Sequence, residues 1–81
     1  MHYVYVLHSQ VTGRFYIGST KDLGRRLEEH NRGQTTSTRS GRPWKLVYKE
    51  EFESKSRATF RERYLKRQKS RKFLEELIEL V

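Results

Sequence analysis

Residues 3–19 read YVYVLHSQVTGRFYIGS, and this stretch decides the fold. Tyr3 to Leu7 is rich in aromatic and β-branched residues, the types that suit a pleated strand. Phe15 to Ser19 has the same character. Between them, Gln10-Val11-Thr12-Gly13 supplies the glycine expected of a short hairpin loop. If Ser9 pairs with Arg14, Leu7 faces Tyr16 and Tyr5 faces Gly18. Tyr5 and Tyr16 then lie diagonally on one face of the sheet, and Gly18 leaves open space beside Tyr5. A one-residue slip would put the two tyrosines on opposite faces, so their partnership depends on the loop.

Downstream, Thr20 is positioned to cap a helix running to about Asn31, with Asp22 in its first turn. Leu23, Arg26, Leu27 and His30 recur at helical spacing and share one face, while Arg25, Glu28 and Glu29 fall on the other side. Gly33 terminates the helix. Gln34 to Arg42, full of Thr and Ser, reads as a polar surface loop. Trp44 to Tyr48 reads as a third strand that extends toward Phe52, with Pro43 just ahead of it. Ser54 or Ser56 caps a second helix from about Arg57 to Lys69. A last helix from about Ser70 carries Phe73, Leu74, Leu77, Ile78 and Val81 as an apolar stripe. The expected fold is α/β of the α+β kind. It is a small three-stranded antiparallel sheet flanked by helices, in the order β-β-α-β-α-α.

The 81 residues leave room for one domain, spanning 1–81, with a thin core. There is no cysteine, which excludes disulfides and thiolate metal sites and fits a reducing compartment. No apolar run is long enough to span a bilayer and the N-terminus lacks a signal-peptide pattern, so a cytoplasmic protein with no membrane partner is expected. The net charge of +8 and pI near 10.1 favour a polyanionic partner, nucleic acid first.

On the second helix, Ala58, Glu62 and Leu65 fall on one narrow arc, and Phe60 and Tyr64 point the opposite way. A carboxylate in a small-and-apolar stripe is costly unless a metal ion or a cation relieves it. Arg61, Arg63, Lys66, Arg67, Lys69, Arg71 and Lys72 surround Glu62 in sequence. Tyr5, Tyr16, the Arg26/His30 pair and Glu62 thus stand out together. Phosphodiester hydrolysis has a use for each: a group to orient or deprotonate water, positive charge at phosphorus, and a carboxylate to hold a divalent ion. Mg²⁺ is commonly held by one or two carboxylates, with water and substrate completing its shell.

With those residues in view, the sequence resembles the GIY-YIG nuclease superfamily. That family includes intron homing endonucleases, the incision subunit of bacterial excision repair and many small single-domain bacterial proteins. The resemblance covers nearly the whole chain. Tyr3-Val4-Tyr5 looks like the first namesake motif, and Tyr16-Ile17-Gly18 matches the second literally. Tyr16 follows Tyr5 by 11 residues, and Arg26 follows Tyr16 by 10. Arg26 and His30 resemble the helix-borne pair of the family, and the segment from Ala58 to Lys66 resembles the one carrying its metal-binding glutamate. The order and spacing make a joint signal that no single motif makes. Tyr3 departs from the family's glycine, and Val4 from its isoleucine.

The resemblance implies an endonuclease dependent on Mg²⁺ or Mn²⁺ that cuts DNA, in repair or recombination or on single-stranded or branched substrates. It implies that Glu62 binds the ion, Tyr5 contacts the attacking water, Tyr16 positions water or phosphate and Arg26 stabilises phosphate charge. His30 either takes the proton or hands it to Tyr5. Arg25, Arg39, Arg61, Lys66 and Lys69 are the expected nucleic-acid contacts. The residues also allow plainer roles. Tyr5 and Tyr16 could be ordinary sheet aromatics, Arg26 could pair with Glu28 or Glu29, Glu62 could pair with Arg61 or Lys66, His2 and His8 read as structural, and Trp44 as core or loop anchor. The alternative function is a non-catalytic nucleic-acid-binding module, or a domain that cuts only when a targeting partner presents the substrate.

Overall fold

The computed structural model describes residues 1–79, so Val81 of the expected apolar stripe lies outside the described residues. The chain runs through strand β1 (His2–Ser9), strand β2 (Phe15–Thr20), helix α1 (Leu23–Asn31), a 3-10 helix (Thr36–Gly41), strand β3 (Trp44–Phe52), helix α2 (Lys55–Gln68) and helix α3 (Arg71–Glu79). The three strands form one antiparallel sheet in the order β2-β1-β3. The hairpin register is the expected one. Ser9 N donates to Arg14 O at 2.9 Å, Leu7 faces Tyr16 and Tyr5 faces Gly18.

Helices cover both faces of the sheet, which is why Val4 to Leu7 of the central strand are all buried rather than alternating. On one face Val4, Val6, Ile17 and Tyr48 pack against Ala58, Leu65 and Leu74 of α2 and α3, with Phe73, Leu77 and Ile78 at the margin. On the other, Tyr5, Leu7 and Trp44 pack with Tyr16, Leu23, Leu27 and Leu46. No helix among the described residues is long and apolar enough to cross a membrane.

Four local expectations need correction. Thr20 does not cap α1. It pairs with Tyr3 as the last residue of β2, and its hydroxyl accepts from Asp22 N at 3.1 Å. That turn leaves Asp22 as the cap, its carboxylate accepting from Arg25 N. The polar stretch 34–42 is not a plain loop, because residues 36–41 form the 3-10 helix with Thr38 fully buried. Trp44 holds it there, donating from Nε1 to Thr38 O at 2.7 Å, while Asn31 clasps the Trp44 backbone. Helix α2 begins at Lys55 behind Ser54, not Ser56, because the Ser54 hydroxyl reaches Arg57 N. It ends at Gln68 rather than Lys69, which adopts left-handed backbone at φ 46° and breaks the helix before Ser70 caps α3.

Gly33 ends α1 as expected, with φ +79° and its N–H bonded to His30 O. Phe60 and Tyr64 do point away from the core, and Phe60 is 73% exposed.

Candidate functional site

Tyr5 rises from the middle of the central strand and is 1% exposed. Its ring lies across Gly18 of the neighbouring edge strand. A Cβ at position 18 would meet Tyr5 Oη at 2.5 Å and Cζ at 2.6 Å, so only glycine admits this placement. Tyr16, two residues back on the same face of β2, sets its ring centroid 6.4 Å from that of Tyr5. The helical spacing of α1 delivers Arg26 and His30 to the same side. His30 is wholly buried, and its Nε2 lies 3.0 Å from Tyr5 Oη. The Tyr16 ring packs edge-on against the imidazole at 4.9 Å. Beyond the ring, His30 Nδ1 lies 2.7 Å from the Thr38 hydroxyl.

Arg26 binds Glu29 at 2.9 Å, the plainer role foreseen for it, and its cation also favours the ionised form of the nearby Tyr5 hydroxyl. Glu29 also accepts from Arg25 at 3.1 Å, so it links the far side of the helix, where it was expected, to Arg26 on the site-facing side. A helix places i+3 and i+4 next to each other, so one carboxylate serves both arginines.

Glu62 approaches from the opposite face of the sheet. Strand neighbours point to opposite faces, so Gly18 lies under Tyr5 while Ser19 turns toward α2. The Ser19 hydroxyl donates to Glu62 Oε1 at 2.5 Å, and Lys66 Nζ binds Oε2 at 2.7 Å. β2 is an edge strand, so Gly18 and Ser19 present the two faces of the sheet side by side at its rim. Tyr5, Tyr16, Arg26 and His30 therefore form one cluster on the α1 face, while Glu62 is held by Ser19 and Lys66 on the α2 face.

The environment sets distinct protonation states. Burial pushes the Tyr5 hydroxyl up to about 12, and the neighbouring Tyr16 and Glu62 add to this against the pull of Arg26. Burial lowers His30, and the Arg26 cation lowers it further against the opposing pull of Glu29, so the imidazole is neutral at pH 7. Burial works to raise Glu62, but the Lys66 and Ser19 hydrogen bonds outweigh it and keep the carboxylate ionised.

An open groove of about 660 Å³ adjoins this cluster between α1 and the sheet. Tyr3, Lys21, Arg25, Arg26 and Lys49 line it, with Asp22 and Glu29. Among the described residues Lys21 and Lys49 have no carboxylate within ion-pair distance. Of the five expected nucleic-acid contacts, Arg25 alone lines the groove. Arg61 is turned onto Glu50 by two hydrogen bonds of 2.9 and 3.0 Å, in a cluster that also includes the Tyr48 hydroxyl. Lys66 is bound to Glu62, Arg39 donates to Gly33 O, and Lys69 is exposed at the α2–α3 junction.

A family model described as the GIY-YIG catalytic domain matches residues 1–75. The chain belongs to the GIY-YIG family. UPF0213 proteins of Staphylococcus aureus, strains Mu50 and COL among them, are 42% identical to it over 79 residues, covering 93% of this chain and 95% of theirs. The solution NMR structure of a UPF0213 protein from Bacillus halodurans is 38% identical, with a TM-score of 0.60 over 98% of this chain and 83% of that one. The GIY-YIG family is a nuclease family, so nucleic acid is the substrate class its membership implies. Within this family member, sequence reasoning missed Ser19, Thr38, Lys21 and Lys49. Ser19 was open to inference from strand alternation beside Gly18. Thr38 was not, because its burial depends on contacts from α1 and Trp44 that no local pattern encodes.

Proposed function

We propose that the protein is a divalent-metal-dependent endonuclease that hydrolyses phosphodiester bonds in DNA. The observation that carries this reading is the buried His30 hydrogen-bonded to Tyr5 and packed against Tyr16, with Arg26 on the same helix face. A structural aromatic core has no use for that combination of groups.

The donor set fits Mg²⁺ or Mn²⁺. Glu62 offers an ionised carboxylate that is 18% exposed, and among the described residues no group of three His, Cys, Asp or Glu converges as a zinc site would need. Bound at Glu62, such an ion would supply positive charge for the developing phosphate and leaving oxygen. Ser19 and Lys66 hold the carboxylate in place for it. Tyr5 receives a proton from the attacking water as its own proton passes to His30 Nε2. The water oxygen's electron pair forms the new bond to phosphorus while the bond to the leaving oxygen breaks. Tyr5 ends neutral and His30 ends as an imidazolium, which makes His30 the net base and Tyr5 the conduit. Arg26 offsets the charge on the phosphate, and Tyr16 positions it. The groove lined by Lys21, Arg25 and Lys49 carries the adjoining strand.

The test is incubation of the pure protein with single-stranded, nicked and branched DNA in Mg²⁺ or Mn²⁺. Cleavage above that of a Glu62→Ala control supports the enzyme. Salt-sensitive DNA binding with no metal-dependent cleavage would leave the binding-module reading, for which the +8 charge is the argument.

A further inference from the structure

Thr38 sits outside every motif, yet its hydroxyl is the last link of a buried chain that begins at Tyr5. The heavy-atom distances are 3.0 Å from Tyr5 Oη to His30 Nε2, 2.7 Å from His30 Nδ1 to Thr38 Oγ1 and 3.4 Å from Thr38 Oγ1 to Thr35 O. A neutral imidazole has one N–H and one bare nitrogen, so the chain has two possible polarities.

Counting protons separates them. Suppose Thr38 donates to Nδ1. Then Nε2 carries the hydrogen and donates to Tyr5, and the Tyr5 proton needs another acceptor. Among the described residues Tyr5 Oη has no hydrogen-bond partner besides His30, and the guanidinium of nearby Arg26 can only donate. A donor that is almost fully buried would be orphaned. In the opposite polarity Tyr5 donates to Nε2, Nδ1–H donates to Thr38, and Thr38 donates to Thr35 O. Every proton then has an acceptor within the protein, and the second lone pair of Tyr5 remains for a donor such as Arg26.

We infer that Thr38 is a positioning residue that fixes His30 as the Nδ1–H tautomer, leaving Nε2 open to take the Tyr5 proton. The catalytic part of this inference rests on the nuclease reading above, but the tautomer itself does not. The Trp44 indole fixes Thr38 in turn by holding its carbonyl, so the 3-10 helix acts as the third wall of the site. The charged groups that face the ring are few. Tyr5 comes from β1, Tyr16 from β2, and Arg26 and Glu29 from α1 itself. Thr38 and Trp44 bring no charge from their side.

The experiment is a long-range ¹H–¹⁵N correlation spectrum of the ¹⁵N-labelled protein, with His30 assigned by elimination using His2→Gln and His8→Gln. The expected result is a protonated, pyrrole-type Nδ1 and a bare, pyridine-type Nε2 near neutral pH. A protonated Nε2 in the wild-type protein overturns the inference without reference to any variant or to cleavage. In Thr38→Val the ring should lose this single tautomer, and metal-dependent cleavage should fall about 10- to 100-fold with its acid limb displaced. Thr38→Ser should restore both. Val and Ser variants indistinguishable from wild type in spectrum and pH profile would likewise overturn it. A wild-type protein with the expected tautomer and no cleavage on any DNA would sink the nuclease reading and leave the tautomer assignment standing.

Discussion

The hydroxyl end of Tyr5 occupies the space that a side chain at Gly18 would fill, with only 2.5 Å separating Oη from a Cβ built there. Gly18→Ala must therefore push the ring aside and lengthen its bond to His30. The expected outcome is a stability loss of about 1–3 kcal/mol from overpacking, read by urea unfolding, together with at least a tenfold fall in cleavage rate. An alanine variant with unchanged stability and rate would mean that the ring moves freely.

The pH–rate profile distinguishes His30 from Tyr5 as the base. A base must be unprotonated to act, and burial beside Arg26 holds His30 below its ordinary value of 6.5. Cleavage should therefore rise with pH below 6.5 and level off above it. If Tyr5 were the ionising group, the rise would continue from pH 7 toward 12.

Alkaline unfolding measures the burial of Tyr5. Its acidity is shifted from 10.0 up to about 12, so the folded state holds a proton that the unfolded state releases in between. The resulting stability is fully present below pH 10 and is lost as pH rises to about 12, a change of about 2–3 kcal/mol. Tyr5→Phe should reduce that slope, leaving the part due to Tyr48, which burial also raises, as seen by denaturant midpoints measured across the range.

Glu62→Gln keeps the shape of the side chain and an acceptor for Ser19 but removes the charge. Metal-dependent cleavage should drop at least ~100-fold, while thermal melting moves little, because the Lys66 partner is half exposed. A variant that cuts normally would remove Glu62 from the proposed metal site.

The basic residues should divide into two classes. Lys21→Ala and Lys49→Ala are each expected to reduce the salt slope of DNA binding by about one. Arg61→Ala should leave that slope alone and instead destabilise the fold by about 1–2 kcal/mol, since Glu50 loses its bidentate partner. Filter binding across a salt series and unfolding curves would check both.

Much of this architecture was legible from residue pattern. The register supposed for the glycine-bearing loop, with Ser9 opposite Arg14, is the one found, and it places Tyr5 opposite Gly18. The 3.6-residue period put Arg26 and His30 on one face, and the narrow arc of Ala58, Glu62 and Leu65 turned Glu62 toward the sheet. What remained hidden was set by tertiary contact. Thr38 is polar, and its segment reads as a loop until the Trp44 indole and His30 bury it. Arg61 was expected to meet phosphate, and its pairing with Glu50 on β3 could not be read from sequence spacing. Lys21 and Lys49 lie far apart in sequence and share a groove only after β1 pairs with β3.

The meeting of two sheet faces at one edge has a consequence for the nascent chain. The net charge of +8 is present in any conformation, folded or not. The proposed cutting centre is not, because Ser19 and Glu62 lie 43 residues apart and meet only once α2 has docked. The assembled edge thus works as a coincidence detector. A half-folded molecule could cling to nucleic acid, but it would have no means of cutting it.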